Sequence, residues 1–396
     1  MKNILFLALS FASVILLSCN SEKKVDAAYK KSVEWLWKQQ SEDGGWHSKT
    51  HTVLKDGKVL TPYILYYLLQ VPDSIFPKNK SAIDAAVNFL EKNIWAGDTM
   101  ISENYPNYAA AYAYRIYTKI NINNRRQWKL ATYLRGQQFT EKRGTPMESM
   151  AYGGWGYGET ELKAGDFGHV DISHTRRILE ALTDSMKDPN SFLSSKMDSL
   201  NKFSGTEFTL FDKNAAYQFF LSVQRSPNDH RLYEGCTDRS NLPYDGGFVS
   251  SMYTLSTNKC QPYNVNDCYH YPSYATATCD GLLALSALGM KNSKEFKDAA
   301  HWLKEHQRID VIDGLSKDDP EQWYQIMHYY HWSVRAEAMR AANIEGPWEK
   351  DLIRALIKEQ EPEGYYVNPL GGVNKEDDPL MATIFCTQAF TSLARQ

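Results

Sequence analysis

Past its first residues, this chain of 396 residues has no long apolar run: nothing reaches the ~18 uninterrupted apolar residues that a membrane-crossing helix needs. It also lacks a charge excess. Lys and Arg number 44 against 47 Asp and Glu, and a formal charge of −3 leaves no basic footprint for nucleic acid. Cysteine is scarce, at six. Cys236, Cys260 and Cys268 fall in a loop-like region, where one disulfide is expected without the sequence choosing the pair. A zinc site there is the sharper and less favoured reading. Cys279 and Cys386 fall on apolar helices and read as buried thiols. Aromatics, by contrast, are plentiful (10 Trp, 25 Tyr, 16 Phe), which burial explains in part and which sugar-binding clefts also use.

The one apolar run is N-terminal. Lys2 is followed by Ile4 to Leu17 and then Ser18-Cys19, a secretory signal ending in the lipobox-like Leu16-Leu17-Ser18-Cys19. Residues 1–18 are expected to be a signal peptide. Lipid on Cys19 would then anchor the chain to a membrane, with 19–27 as tether and 28–396 as a single domain. Such a chain is expected to be an exported lipoprotein at the outer membrane, on its surface or periplasmic face.

One phrase recurs five times: a helical segment ends in Gln, and an acidic residue, Gly and an aromatic follow. The copies run Gln39-Gln40 to Gly44-Gly45-Trp46, Gln137-Gln138 to Gly153-Gly154-Trp155, and Gln224 to Asp245-Gly246-Gly247-Phe248. Weaker ones run Gln307 to Asp313-Gly314-Leu315 and Gln360 to Gly364-Tyr365-Tyr366. Gln40 to Trp46 resembles the QW motif of squalene and oxidosqualene cyclases and, more loosely, of protein prenyltransferase β-subunits. Tyr274 to Leu285 and Tyr329-Tyr330-His331-Trp332 resemble inner helices of that superfamily. The resemblance covers 28–396 and implies an α/α toroid.

The activities of that superfamily are less well matched. The cyclases use a DxDD acid, and neither Lys317-Asp318-Asp319-Pro320 nor Glu376-Asp377-Asp378-Pro379 reproduces it. Prenyltransferases hold zinc with Asp, Cys and His in separated segments, whereas Asp267, Cys268 and His270 crowd together. No metal or other cofactor is expected.

Apolar periodicity predicts an all-α (α/α)6 toroid of six helical hairpins. First members fall near 28–41, 81–93, 125–139, 212–225, 294–307 and 348–360. Second members fall near 61–71, 106–120, 171–187, 273–289, 321–342 and 379–394. The first are amphipathic and outer. The second are apolar around more of their circumference and inner. Pro62, Pro106, Pro272, Pro320 and Pro379 mark second-member starts, and Asp171 or Ser173 caps the third.

In such a ring all inner-helix N-termini share one rim with the Gly-aromatic loops, and the free N–H groups there favour anions. His169, His174, His270, Tyr271, Tyr324 and His328 are the candidate catalytic residues. Tyr324, His328, His331 and Arg335 are spaced to share one helical stripe. Trp46, Trp155, Arg177, His331 and Arg335 are the candidate substrate-binding residues, although Trp46 and Trp155 also suit bracing of the repeat turns. Asp377 and Asp378 are expected to cap.

Export disfavours cytosolic prenyl diphosphates, and an open polar rim suits an acidic oligo- or polysaccharide. The expected activity is β-elimination on a uronate, by a lyase or a dehydratase. A His or Tyr would act as base, and Arg and N–H donors would hold the enolate. Glycoside hydrolysis, with Asp166, Asp171, Asp245 and Asp377 as carboxylates, is an alternative. So are a non-catalytic glycan-binding lipoprotein and a terpenoid cyclase-like protein. The last of these predicts a dry, aromatic central cavity.

Overall fold

Capping residues start the outer helices. In a computed structural model, which describes residues 23–158, 168–187, 192–204, 208–233, 236, 238, 242–265 and 268–394, Asn79, Asp212 and Ser293 accept backbone N–H groups of the first turns of α3 (Lys80–Asn93), α8 (Lys213–Gln224) and α10 (Lys294–Glu305). With α1 (23–38), α5 (Asn124–Gly136) and α13 (Trp348–Glu359) they form the outer layer. Each of these helices buries one stripe; α13, for example, buries Trp348, Leu352 and Leu356.

The inner layer is α2 (Leu60–Leu68), α4 (Pro106–Lys119), α6 (Ile172–Met186), α9 (Ala275–Ala287), α12 (His328–Ala341) and α14 (Pro379–Ala394). α9 and α14 bury nearly every residue they contain. Packing runs α2–α4–α6–α9–α12–α14 and returns from α14 to α2, so the inner ring closes on itself. The expected all-α toroid is therefore the architecture observed.

The repeated Gln-Gly-aromatic phrase has a specific structural job. Gln40, Gln138, Gln224 and Gln360 each donate Nε2 to the carbonyl of a glycine in their own turn (Gly44, Gly153, Gly246, Gly364). The same amide also reaches a backbone carbonyl at or near the start of the next outer helix, at Ala82, Asp212, Glu295 and Ala28. The backbone N–H of the aromatic then donates to a threonine of the inner helix. These pairs are Trp46 to Thr61, Trp155 to Thr175, Phe248 to Thr278 and Tyr366 to Thr383, each at 3.0 Å. Gly44 and Gly153 sit at φ of 90° and 87°, and a Cβ on either would collide with the carbonyl of Ala85 or Ala215.

The observed elements depart from expectation in three places. The helix expected over 321–342 is broken into α11 (Trp323–Ile326) and α12, with Gln322 at φ 52° and Met327 leaving helical geometry between them. An additional helix, α7 (Phe192–Ser204), lies in the connection between the third and fourth hairpins, outside the twelve expected helices. Short antiparallel pairs also form, β1 (Trp95–Ala96) with β2 (Thr99–Met100), and β3 (Tyr263–Val265) with β4 (Cys268–His270). Cys236 and Cys268 are joined by a disulfide, which removes Cys268 from any zinc set, while Cys260, Cys279 and Cys386 are buried thiols.

Among the described residues no helix is long and apolar enough to cross a membrane. The signal peptide, Cys19, and the candidates Asp166 and Asp267 lie outside the described residues.

Candidate active site

The first turns of the inner helices converge on a cavity of about 350 Å³. Residues two places after a helix start recur in its lining: Tyr108 on α4, His174 on α6, Ala277 on α9, Tyr330 on α12 and Met381 on α14. Tyr63 on α2, Phe385 on α14, Trp323 on α11 and Tyr274 just before α9 complete an aromatic wall. The cavity is thus ringed by π faces, whereas an open polar rim was expected.

One polar cluster is set into that wall. Asp171, buried at 6% exposure, caps α6 by accepting the backbone N–H of His174 at 2.8 Å. Its carboxylate also contacts His174 Nδ1 at 2.9 and 3.0 Å and His169 Nε2. Burial works against this charge. The two imidazoles outweigh that cost and hold the Asp171 carboxyl well below the usual carboxylate range. The His174 ring is boxed by Tyr108 at 4.3 Å and Tyr157 at 4.7 Å, and its Nε2 is buried without a partner among the described residues.

Arg177 and Asp280 form the floor. Arg176 donates to Asp280 at 2.9 Å and to Glu180 at 2.6 Å, and also reaches Glu337. Arg115 joins the same network through Glu180 and Asp184. Burial pushes the Asp280 carboxyl up despite Arg176 and Arg177. A second cavity of about 560 Å³ lies beyond this charged plug, among the C-terminal halves of the inner helices.

The structure brings His169, Asp171, His174 and Arg177 to the cavity and leaves the other candidates outside it. Trp46 and Trp155 have no exposed surface, and their indole N–H groups donate to Leu36 and Leu134 carbonyls at 2.7 and 2.8 Å, so they brace turns and stack on nothing that enters. His270 packs against Tyr263, with its pKa lowered to about 4 by burial and by Arg225. The carbonyl of Tyr271 takes up Arg225, and its side chain faces a separate groove.

The break before α12 removes Tyr324 from the expected stripe. His328 pairs with Glu359 on outer helix α13 at 3.0 Å. His331 and Arg335 are buried against each other at 3.2 Å, with the His331 pKa pushed well down by burial and by that arginine. Arg177 is no free carboxylate clamp, since it donates to Tyr67 at 2.9 Å and pairs with Glu337. Asp245 accepts Ser273 at 2.7 Å, Asp377 pairs with His51 at 2.6 Å, and Asp378 caps α14 through Leu380 N–H.

No family model matches the sequence, and no curated relative does. Solved structures do match. An arginine-to-alanine variant of the type II terpene cyclase MstE from Scytonema, in complex with its substrate geranylgeranyl dihydroxybenzoate, superposes with a TM-score of 0.55. It is 9% identical and covers 95% of this chain and 99% of its own. An aspartate-to-alanine variant in complex with merosterolic acid A (product) has a TM-score of 0.53 at 10% identity, covering 94% of this chain and 97% of its own. The apo enzyme has a TM-score of 0.51 at 9% identity, with 94% and 98% covered.

The chain has the type II terpene cyclase fold. At this identity the likeness reaches the fold alone. It nevertheless overturns the uronate reading: the neighbours named above are terpene cyclases, one of them bound to a prenylated aromatic substrate. A carbohydrate lyase or dehydratase with a polysaccharide partner does not stand. The aromatic cavity points the same way.

The residues that sequence reading missed on the terpene cyclase-fold wall are Tyr63, Tyr108, Asp280, Lys259 and Trp323. Their shared signal, a position within the first two turns of an inner helix or in the loop above it, was available.

Proposed function

We propose that this protein is an enzyme that holds an isoprenoid-type substrate in the central cavity, with the His169–Asp171–His174 cluster as its reactive group. The observation that carries this reading is the closed inner ring around a cavity walled by Tyr63, Tyr108, Tyr274, Trp323, Tyr330 and Phe385. Apolar burial against such a wall supplies affinity, and the π faces stabilise positive charge developing on a hydrocarbon. At about 350 Å³ the space lies near the lower end of the roughly 300–1,000 Å³ typical of small-molecule sites, which favours a short or compactly folded chain. The cyclases' acid motif is missing, so the chemistry is assigned to the histidine–aspartate cluster and not to an alkene-protonating DxDD.

The N-terminal Leu16-Leu17-Ser18-Cys19 supports lipidation and export. A lipid-anchored enzyme would draw a membrane-soluble isoprenoid from the bilayer, so export and an isoprenoid substrate are compatible.

The test is to titrate the purified protein with farnesol, geranylgeraniol and squalene while following intrinsic tyrosine and tryptophan fluorescence, then to analyse extracts for new products by mass spectrometry. Saturable quenching is expected. It should weaken roughly tenfold or more, about 1.4 kcal/mol, in Ala277→Trp, which fills the cavity. No saturable binding by any of the three, or undiminished binding by the filled variant, would sink the proposal.

A further inference from the structure

His169, Asp171 and His174 turn more donor atoms onto one point than a helix cap requires. The cap is complete with one carboxylate oxygen and the backbone N–H of His174 at 2.8 Å. It leaves unexplained why both imidazoles turn a ring nitrogen onto the same carboxylate, His174 from a side chain with 7% exposure. We propose that these three side chains form a binding site for a first-row divalent transition cation of the Zn²⁺ class, set in the wall of the cavity. The inference rests on the reading above only for what the cation would act upon. Its existence stands on the cluster's own geometry.

The donor set is two imidazole nitrogens and one carboxylate oxygen, which suits zinc and its first-row neighbours better than calcium or magnesium. Ligand atoms about 2.1 Å from a tetrahedral metal stand about 3.4 Å apart. Here one atom from each residue lies within 4.8 Å of the others, and His174 Nδ1 is 2.9 Å from Asp171. Both imidazole–carboxylate contacts are shorter than that spacing, so the cluster would open around a cation, by about half an ångström at His174 and by more at His169. His169 sits just ahead of α6 and His174 in its first turn, so the cap that fixes Asp171 fixes both neighbours as well.

The charge balance also suits a cation. The cluster with neutral imidazoles carries one negative charge. Lys259 lines the same cavity, with its ammonium held 3.8 Å from the Trp323 ring. All three ligands line the cavity, so three protein ligands leave a coordination position facing it. A metal there acts as a Lewis acid on an oxygen of the bound molecule. The preferred substrate would then be an isoprenoid that carries an oxygen function, not a bare hydrocarbon.

Chelator-treated protein is titrated with Zn²⁺ by calorimetry, metal content is measured after dialysis, and Co²⁺ is added to read its ligand-field absorption. One Zn²⁺ per chain and a tetrahedral Co²⁺ band are expected. His169→Ala should weaken binding by no less than the roughly 10–100-fold that loss of a mere supporting residue costs. This side chain is 17% exposed and lies outside the helix, so circular dichroism should be unchanged. Asp171→Asn is the second variant, and His301→Ala, on an exposed outer position, is the control. Absence of stoichiometric metal, retention of full affinity in both cluster variants, or equal loss in the control would overturn the proposal. No isoprenoid is present in any arm, so failure here is distinct from failure of the cavity reading.

Discussion

Tyr330 on α12 donates its hydroxyl to Asp280 on α9 at 2.8 Å, and the pair closes the floor of the aromatic cavity over the arginine network below. Each partner is expected to matter differently. Tyr330→Phe removes one neutral donor and should cost about 1 kcal/mol. Asp280→Asn leaves Arg176 short of a buried counter-charge and should cost about 3 kcal/mol. Urea denaturation of the two variants checks the ratio, and equal costs would show that the ion pair is not the main support of the floor.

Gln40 ties its own turn to the start of α3 through two bonds of 2.9 Å. Gln40→Ala strands two carbonyls and should lower stability by about 2 kcal/mol. Its effect on isoprenoid binding should be negligible, because Gln40 is absent from the cavity wall. A loss of binding without a loss of stability would contradict this division of labour.

Acid should unfold the protein in two stages. Burial and Arg225 lower His270 from 6.5 to about 4, so the unfolded chain takes up that proton first, and stability falls as pH drops from 6.5 towards 4. Burial opposes the charge on Glu180, but Arg176, Arg177 and Arg115 outweigh it and bring its pKa from 4.5 down to about 2. Its contribution is complete above 4.5 and lost as pH falls through 2. Denaturation midpoints measured from pH 8 to 2 should show both slopes, with the lower one flattened in Glu180→Gln.

Reduction of Cys236–Cys268 frees a loop with a sequence separation of 32. The chain-entropy cost is about 3–4 kcal/mol at most. The bond lies away from the cavity wall, so isoprenoid binding should survive in Cys236→Ser. Loss of binding in that variant would show that this crosslink holds Lys259 and the rest of the cavity-lining part of the 226–272 loop in place.

The repeat was legible because its chemistry is local. A Gln, a glycine at positive φ and an aromatic recur within a few residues, and each does the same work in every clear copy. His174 and Asp171 were legible for the same reason, as a cap and its neighbour three residues on. His328, His331 and Arg335 misled because a helical stripe of His and Arg looks alike whether it faces a cavity or an outer helix. In the structure His328 meets Glu359 on α13, and Arg335 meets the carbonyl of His306 just past α10. Tyr324 was lost to a helix break at Met327 that no proline or glycine announces.

The sequence alone determined where most of the inner and outer helices begin, which of them are wrapped in apolar residues, how the hairpins are joined, and that Cys279 and Cys386 are buried. All of these follow from periodicity, capping and turn chemistry acting over one or two turns. Tertiary structure decided which ends of those helices enclose the cavity and which side chains meet there. Tyr63, Tyr108, Asp280, Tyr330 and Phe385 come from five helices spread across 323 positions, counting from 63 to 385, and no local rule relates them. Only closure of the inner ring, from α14 back to α2, turns their separate faces towards one another.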